Sequence, residues 1–242
     1  MPPRPRLPAG HQPLAQILFA QGFGARRECE GLIVSNLVSV RGDMVDDPDA
    51  AFPEDRLELV VDGQPWVTHV KALVMLNKPA GYECSLKPGA WPGVHNLLAP
   101  PLRRRGLQPV GRLDQDTTGL LLMTDDGALL HKLTSPKHNV PKVYEVTVKH
   151  PMTDKQVQSL MSGVVLDDDP VPVLAEHAEM VSELHLRLSL TQGKYHQVKR
   201  MVAAVGNRVE ALHRSSIGQL ILPDDLAPGQ WRWIEDPAVV LP

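Results

Sequence analysis

From Leu14 the apolar positions recur at helical spacing, with Leu14, Ile17, Leu18 and Phe23 along one side of LAQILFAQGF. Gly24 is the expected stop, because glycine accepts the left-handed cap. ARRECEGLIVSN predicts a second helix, with Cys29, Leu32 and Ile33 inward and Arg26, Arg27 and Glu30 outward. The period then drops to two: LVSV, a turn at RGD and MV predict a hairpin, and RLELVV predicts a strand with Leu57, Leu59 and Val61 on one face. Further on, LVMLNKP reads as a buried strand, LLLMT as an apolar strand after a polar loop, and DDGALLHKLTSP as a turn and short helix stopped before Pro136. VYEVTVKH and ELHLRLSL alternate as strands, while MTDKQVQSLMSG and KYHQVKRMVAAVG have helical spacing, the latter stopped by Gly206.

These patterns divide the chain. Residues 1–13, rich in proline and without apolar periodicity, read as a flexible tail. Residues 14–61 form a small helix–helix–hairpin module, 62–72 a linker without a clear pattern, and 73–242 a larger domain of short strands and helices with no regular βαβ period. Residues 84–107 read as loop, broken by Pro88, Pro92, Pro100 and Pro101. No run reaches the length of a membrane-spanning helix, and no basic-then-apolar leader opens the chain. Two cysteines, Cys29 and Cys84, are too few for a disulfide framework or a cysteine-rich zinc site and suit a reducing cytoplasm.

Composition alters this picture in one respect. The 242 residues carry a formal charge of −3, the wrong sign for a nucleic-acid binder, but the charges are segregated. Arg103, Arg104, Arg105 and Arg112 stand without an acid, and Arg187, Lys194, Lys199, Arg200, Arg208 and Arg214 are opposed over residues 187–214 by Glu210 alone. A polyanion senses such local fields rather than the total.

Three stretches combine the residue types that chemistry needs. Gly111-Arg112-Leu113-Asp114-Gln115-Asp116-Thr117-Thr118-Gly119 puts an arginine and two carboxylates on a loop anchored by the following apolar strand. Asp114 and Asp116 fit an acid/base pair of the glycosidase kind, and a carboxylate also fits a nucleophile at a sugar carbon; Asp116 reads more simply as a turn cap. Gly193-Lys194-Tyr195-His196-Gln197-Val198-Lys199-Arg200 places Lys199 beside an apolar stripe, from which it reaches either solvent or a buried carboxylate that it would keep ionised; His196 reads as structural or as a phosphate contact. Lys142-Val143-Tyr144 offers a tyrosine in a chain with only 4% aromatics, suited either to the core or to stacking on a base. No metal-ligand spacing, Walker loop or dinucleotide fingerprint occurs.

In order and spacing, GRLDQDTTGLLLMTDDG, KVYEV and GKYHQVKRMVAAVG resemble the signature motifs of the RsuA/RluB-type pseudouridine synthases, the resemblance extending over about residues 73–233. ARRECEGLIVSNLVSVRGDMVDDP is similar to an S4 RNA-binding domain, although Gln12-Pro13-Leu14 stands where that domain usually opens with Arg-Leu-Asp. The resemblance implies an α+β protein: a small S4-like α/β module, then a catalytic domain with a mixed, mainly antiparallel sheet flanked by helices. It implies isomerisation of uridine to pseudouridine in RNA by base flipping, with no cofactor and no metal. Asp114 falls on the catalytic aspartate, Tyr144 on the tyrosine that stacks against the target base, and Lys199 on the basic residue paired with the aspartate. Arg112 falls on the arginine that holds the flipped nucleotide or the RNA; Asp116 gains no role. Arg26, Arg27 and Arg200 are the further expected RNA contacts. SPKHNVPKVYEV and LPDDLAPGQWRWI look closest to the RsuA branch, which modifies bacterial 16S ribosomal RNA. The expected partner is therefore ribosomal RNA within a pre-ribosomal particle, met in the cytoplasm by a monomer with no membrane attachment. A large-subunit target, a non-catalytic ribosome-assembly protein and a glycoside hydrolase are the competing readings.

Overall fold

The computed structural model describes residues 7–135, 138–167 and 169–241, and these form two units. The first takes the chain up to Ala72 together with Leu98–Leu107; the second takes Leu73–Leu97 and everything from Gln108.

In the first unit, β1 (His11–Pro13) leads into α1 (Leu14–Gln21), followed by α2 (Arg26–Val34), β2 (Val38–Val40), β3 (Asp43–Met44), β4 (Ala51–Pro53), β5 (Glu58–Val61) and β6 (Gln64–Val67). The core matches the apolar pattern: Leu14, Ile17, Leu18, Cys29, Ile33, Leu57, Leu59 and Val61 are buried together. Four sequence-based expectations are corrected. The end of the supposed tail is strand, β1 pairing with β4; residues 1–6 lie outside the described residues. The supposed linker contains β6, paired with β5, and is tied back by Gln21. That buried amide donates to the His69 carbonyl and accepts from the His69 amide and the Trp66 indole, so residues 66–69 have fixed partners that no hydropathy pattern reveals.

The supposed loop hides α3 (Pro100–Arg105), which starts with prolines where a helix loses no hydrogen bond by them. It buries Leu102, and Arg105 donates to Gln21 Oε1 and the His69 carbonyl. Gly22, not Gly24, caps α1, at φ 89°. A Cβ there would stand 2.2 Å from the Pro101 carbonyl oxygen, so the approach of α3 as well as the cap demands glycine.

The second unit is built on one sheet, with strands β7 (Leu73–Lys78), β8 (Gln108–Pro109), β9 (Thr118–Thr124), β10 (Lys142–Val148), β13 (His177–Ser182), β14 (His185–Leu190), β15 (Val209–Ile217), β16 (Leu220–Ile221) and β17 (Trp231–Trp233); β11 (Val164–Leu166) and β12 (Asp169–Val173) form a separate hairpin. The order is β13-β14-β10-β15-β9-β7-β17, with β16 on β15 and β8 on β9. Helices α4 (Gly127–Thr134), α5 (Asp154–Ser162) and α6 (Gln197–Ala204) accompany it. The α+β class and the mixed, mainly antiparallel sheet are as expected. Asp126 caps α4, its Oδ1 accepting from the amides of Ala128 and Leu129; Pro136 lies outside the described residues. Strands β12, β13, β15 and β17 were not legible as such, because their residues are only partly apolar, and β11, though apolar, is a run of only three residues.

One pairing positions the site. All main-sheet ladders are antiparallel except β15 on β9, which is parallel. The loop entering β9 and the helix entering β15 therefore reach the sheet from the same end. Gly119 permits it: at φ 102°, a Cβ would sit 2.3 Å from the Arg214 carbonyl oxygen on β15.

Candidate active site

The loop 111–117 precedes β9, and Asp114 lies in it. The Thr117 amide donates to the Asp114 carbonyl, closing a turn. Beneath the loop runs Lys78, the last residue of β7, with no exposed surface. Its ammonium donates to the carbonyls of Pro79 (3.1 Å), Gln115 (3.2 Å) and Thr117 (2.7 Å), using all of its donors. Burial draws this ammonium below the usual lysine range, while the nearby carboxylates of Asp116 and Asp114 partly restore it. A buried lysine thus fastens the loop from inside. Its one sequence signal was a cation ending a buried, mostly apolar strand just before a proline.

Helix α6 supplies the partners. The sequence predicts helix from Lys194, but the helix starts at Gln197, because the Gln197 side chain accepts from the Lys194 amide and His196 takes a left-handed φ of 46°. His196 at the cap and Lys199 one turn later then meet the same carboxylate. Lys199 Nζ stands 2.9 Å from Asp114 Oδ2, and His196 Nε2 stands 3.1 Å from Asp114 Oδ1. Both carboxylate oxygens are engaged, at the helix end whose dipole favours negative charge.

Asp116 is more than a turn cap. Its carboxylate accepts from Lys199 Nζ through both oxygens, at 2.7 and 2.9 Å. Burial pushes the Asp116 carboxyl up, but the Lys199 hydrogen bond and charge outweigh it and hold it below the usual carboxylate range. Burial likewise lowers the Lys199 ammonium, but Asp116 and Asp114 outweigh it and raise the ammonium above its ordinary value. Lys199 is thus a shared, permanently charged bridge rather than a proton carrier near neutral pH.

Around this cluster lies an open cleft. Arg112, Lys194 and Tyr144 line it, with Leu190, Val198 and Leu212 as an apolar wall. Tyr144 is buried, on β10 opposite Arg214, which in turn faces Gly119 across the parallel pair. Thr117 also faces the cleft, and its buried hydroxyl has no hydrogen-bond partner. The structure therefore unites Asp114, Tyr144, Lys199 and Arg112. It does not bring Arg200 to the cleft: that guanidinium donates to the Tyr195 carbonyl and braces the turn before α6. Arg26 and Arg27 belong to the first unit, where Arg26 lies 5.2 Å over the Phe19 ring. Sequence reasoning missed Lys78 and the carboxylate contacts of His196 and Asp116.

A carboxylate held between two cationic or donor groups, at the base of a cleft with an aromatic ring and an arginine, suits acting on a flipped nucleotide. Comparisons with known proteins agree. A family model described as RNA pseudouridylate synthase matches residues 72–204. The chain is 42% identical over 219 residues to ribosomal small subunit pseudouridine synthase A of Salmonella typhimurium, covering 88% of this chain and 93% of that one. It is 48% identical over 158 residues to the Yersinia pestis protein of the same name, covering 65% of this chain and 67% of that one. A crystal structure of a pseudouridylate synthase superposes with a TM-score of 0.66 at 32% identity, over 94% of this chain and 98% of that one. The matched residues include Arg112, Asp114, Tyr144, His196 and Lys199 of the cleft, and the chain belongs to the RNA pseudouridylate synthase family.

Proposed function

We propose that this chain isomerises a uridine of bacterial small-subunit (16S) ribosomal RNA, and that Asp114 is its catalytic carboxylate. The observation that carries the assignment of Asp114 is its double clasp by Lys199 and His196 inside the cleft. In the reaction the bond from uracil nitrogen N1 to the ribose breaks, the uracil turns, carbon 5 bonds to the ribose, and carbon 5 gives up its proton while N1 takes one up. Nothing is gained or lost overall, so the chemistry asks for charge and positioning rather than a carrier. Asp114 engages the nucleotide through its carboxyl group, which Lys199 and His196 hold in place. Tyr144 packs its ring against the flipped base, and Arg112 meets the phosphate.

The names of the relatives support the small-subunit target. The first unit, helix–helix–strands with exposed Arg26 and Arg27, serves as an S4-like module that grips RNA phosphates. The protein works as a cytoplasmic monomer on an assembling ribosomal particle, which gradient co-sedimentation and size-exclusion would check.

The test is pseudouridine mapping by carbodiimide treatment and reverse-transcriptase stops. Ribosomal RNA would come from cells lacking the gene, with wild type or Asp114→Asn restored. One small-subunit stop lost on deletion and recovered only by wild type is expected. Persistence of every small-subunit stop overturns the substrate, and recovery by Asp114→Asn overturns the residue.

A further inference from the structure

Tyr195 is one of only three tyrosines in the chain, yet 68% of its surface is exposed. Its position is not that of a side chain left loose in solvent. One face lies on the His196 imidazole, with ring centroids 3.8 Å apart and planes inclined by 22°. Its carbonyl accepts from Arg200, the turn around it is closed by Gln197 and the Lys194 amide, and His196 holds a left-handed backbone to make the stack. The neighbours on both sides, Lys194 and His196, line the cleft. Rigid mounting, one covered face and one open face make a platform.

The chemistry of the occupant follows from RNA itself. A nucleotide drawn into the cleft brings covalently attached neighbours, which must lie at the cleft mouth. Flipping also strips those neighbours of a stacking partner. An exposed aromatic ring offers a replacement surface that any base can use. We propose that Tyr195 stacks on the base adjacent to the target uridine, forming a second nucleobase subsite beside the cleft. The proposal rests on the cleft being the uridine site.

Binding of the dinucleotides ApU and UpA would be measured by NMR titration, each against the same molecule with an abasic ribose in place of adenosine. In wild type the adenine of at least one dinucleotide should tighten binding roughly ten- to hundredfold, the range of base–aromatic stacking. Tyr195→Leu should cut that gain below about twofold and leave the abasic molecules unaffected, while Tyr195→Phe keeps it. On small-subunit ribosomal RNA, Tyr195→Leu should raise KM about tenfold or more with kcat within about threefold. No gain from either adenine in wild type overturns the subsite. Equal weakening of abasic and intact dinucleotides by Tyr195→Leu also overturns it, since the ring would then only prop His196. If wild type makes no pseudouridine in that RNA, the proposed substrate fails, and the dinucleotide titration still decides the stacking.

Discussion

Replacing Lys78 by methionine removes the clasp beneath the Asp114 loop while preserving most of the side-chain volume. Three hydrogen bonds from an ammonium are lost, at 2.7 to 3.2 Å. At about 1.5–3 kcal/mol each, they represent about 5–9 kcal/mol of gross interaction. Removing the buried charge also removes its desolvation cost, several kcal/mol, consistent with the depressed ammonium. The net loss of stability is therefore about 3 kcal/mol, equivalent to a fall in Tm of about 6–12 °C for a protein of this size. The catalytic effect should be larger, since two of the three carbonyls, those of Gln115 and Thr117, lie within three residues of Asp114 in the same loop. A displacement of about 1 Å at a reacting group costs on the order of 10²-fold in rate. Turnover is read as tritium released from carbon 5 of labelled uridine in small-subunit ribosomal RNA, below the variant's melting temperature. The expected result is kcat reduced about 100-fold with RNA affinity within about threefold. Folded Lys78→Met with wild-type kcat would refute the role of the clasp.

Asp114→Asn should keep RNA affinity within about threefold and lose turnover by at least about 10³-fold, and single-turnover assays with filter binding separate the two. Lys199→Met leaves Asp114 with His196 alone and removes the lysine from Asp116, and kcat at neutral pH should fall about 10²-fold or more; wild-type rates would remove its role. Gly119→Ala forces a Cβ to within 2.3 Å of β15 at a left-handed φ and should cost about 3 kcal/mol, seen in denaturant midpoints. Burial, aided by the Arg214 charge, pushes the Lys142 ammonium down to about 8. Its protonated form therefore destabilises the fold, fully below about pH 8, and the penalty fades as pH rises from there toward the unfolded value of about 10.4. The Tm of Lys142→Met relative to wild type should accordingly be highest near pH 7 and decline by pH 10; a constant difference would contradict the burial. Arg26→Ser with Arg27→Ser should weaken RNA binding and lower the slope of log K against log salt by about 1.5–2, without altering kcat at saturation.

The sequence by itself determined the elements whose apolar period is clean: α1, α2, β5, β7, β9, β10, α5 and β14 all lie where the pattern puts them. Polar residues crowded onto a loop before a buried strand, or beside an apolar helix stripe, drew attention to Arg112, Asp114 and Lys199, and the resemblance to the pseudouridine synthases singled out Tyr144 and gave all four their expected roles. Tertiary structure decided the rest. Strands such as β13 and β17 are held by ladders rather than by hydrophobicity, and α3 hides behind two prolines that count against a helix only in its interior. Gln21 shows why the supposed linker is ordered: its partners lie about 45 residues away, beyond the reach of any local pattern. The site itself depends on a parallel pairing of β9 with β15, strands separated by most of the second unit. That pairing brings the Asp114 loop and α6 to one end of the sheet. Only then do His196 and Asp116 acquire partners, and only then is Lys78 seen to be a fastening rather than a stray charge. Periodicity reports which face of an element is buried; it carries no information about which distant backbone carbonyl or carboxylate will lie against that face.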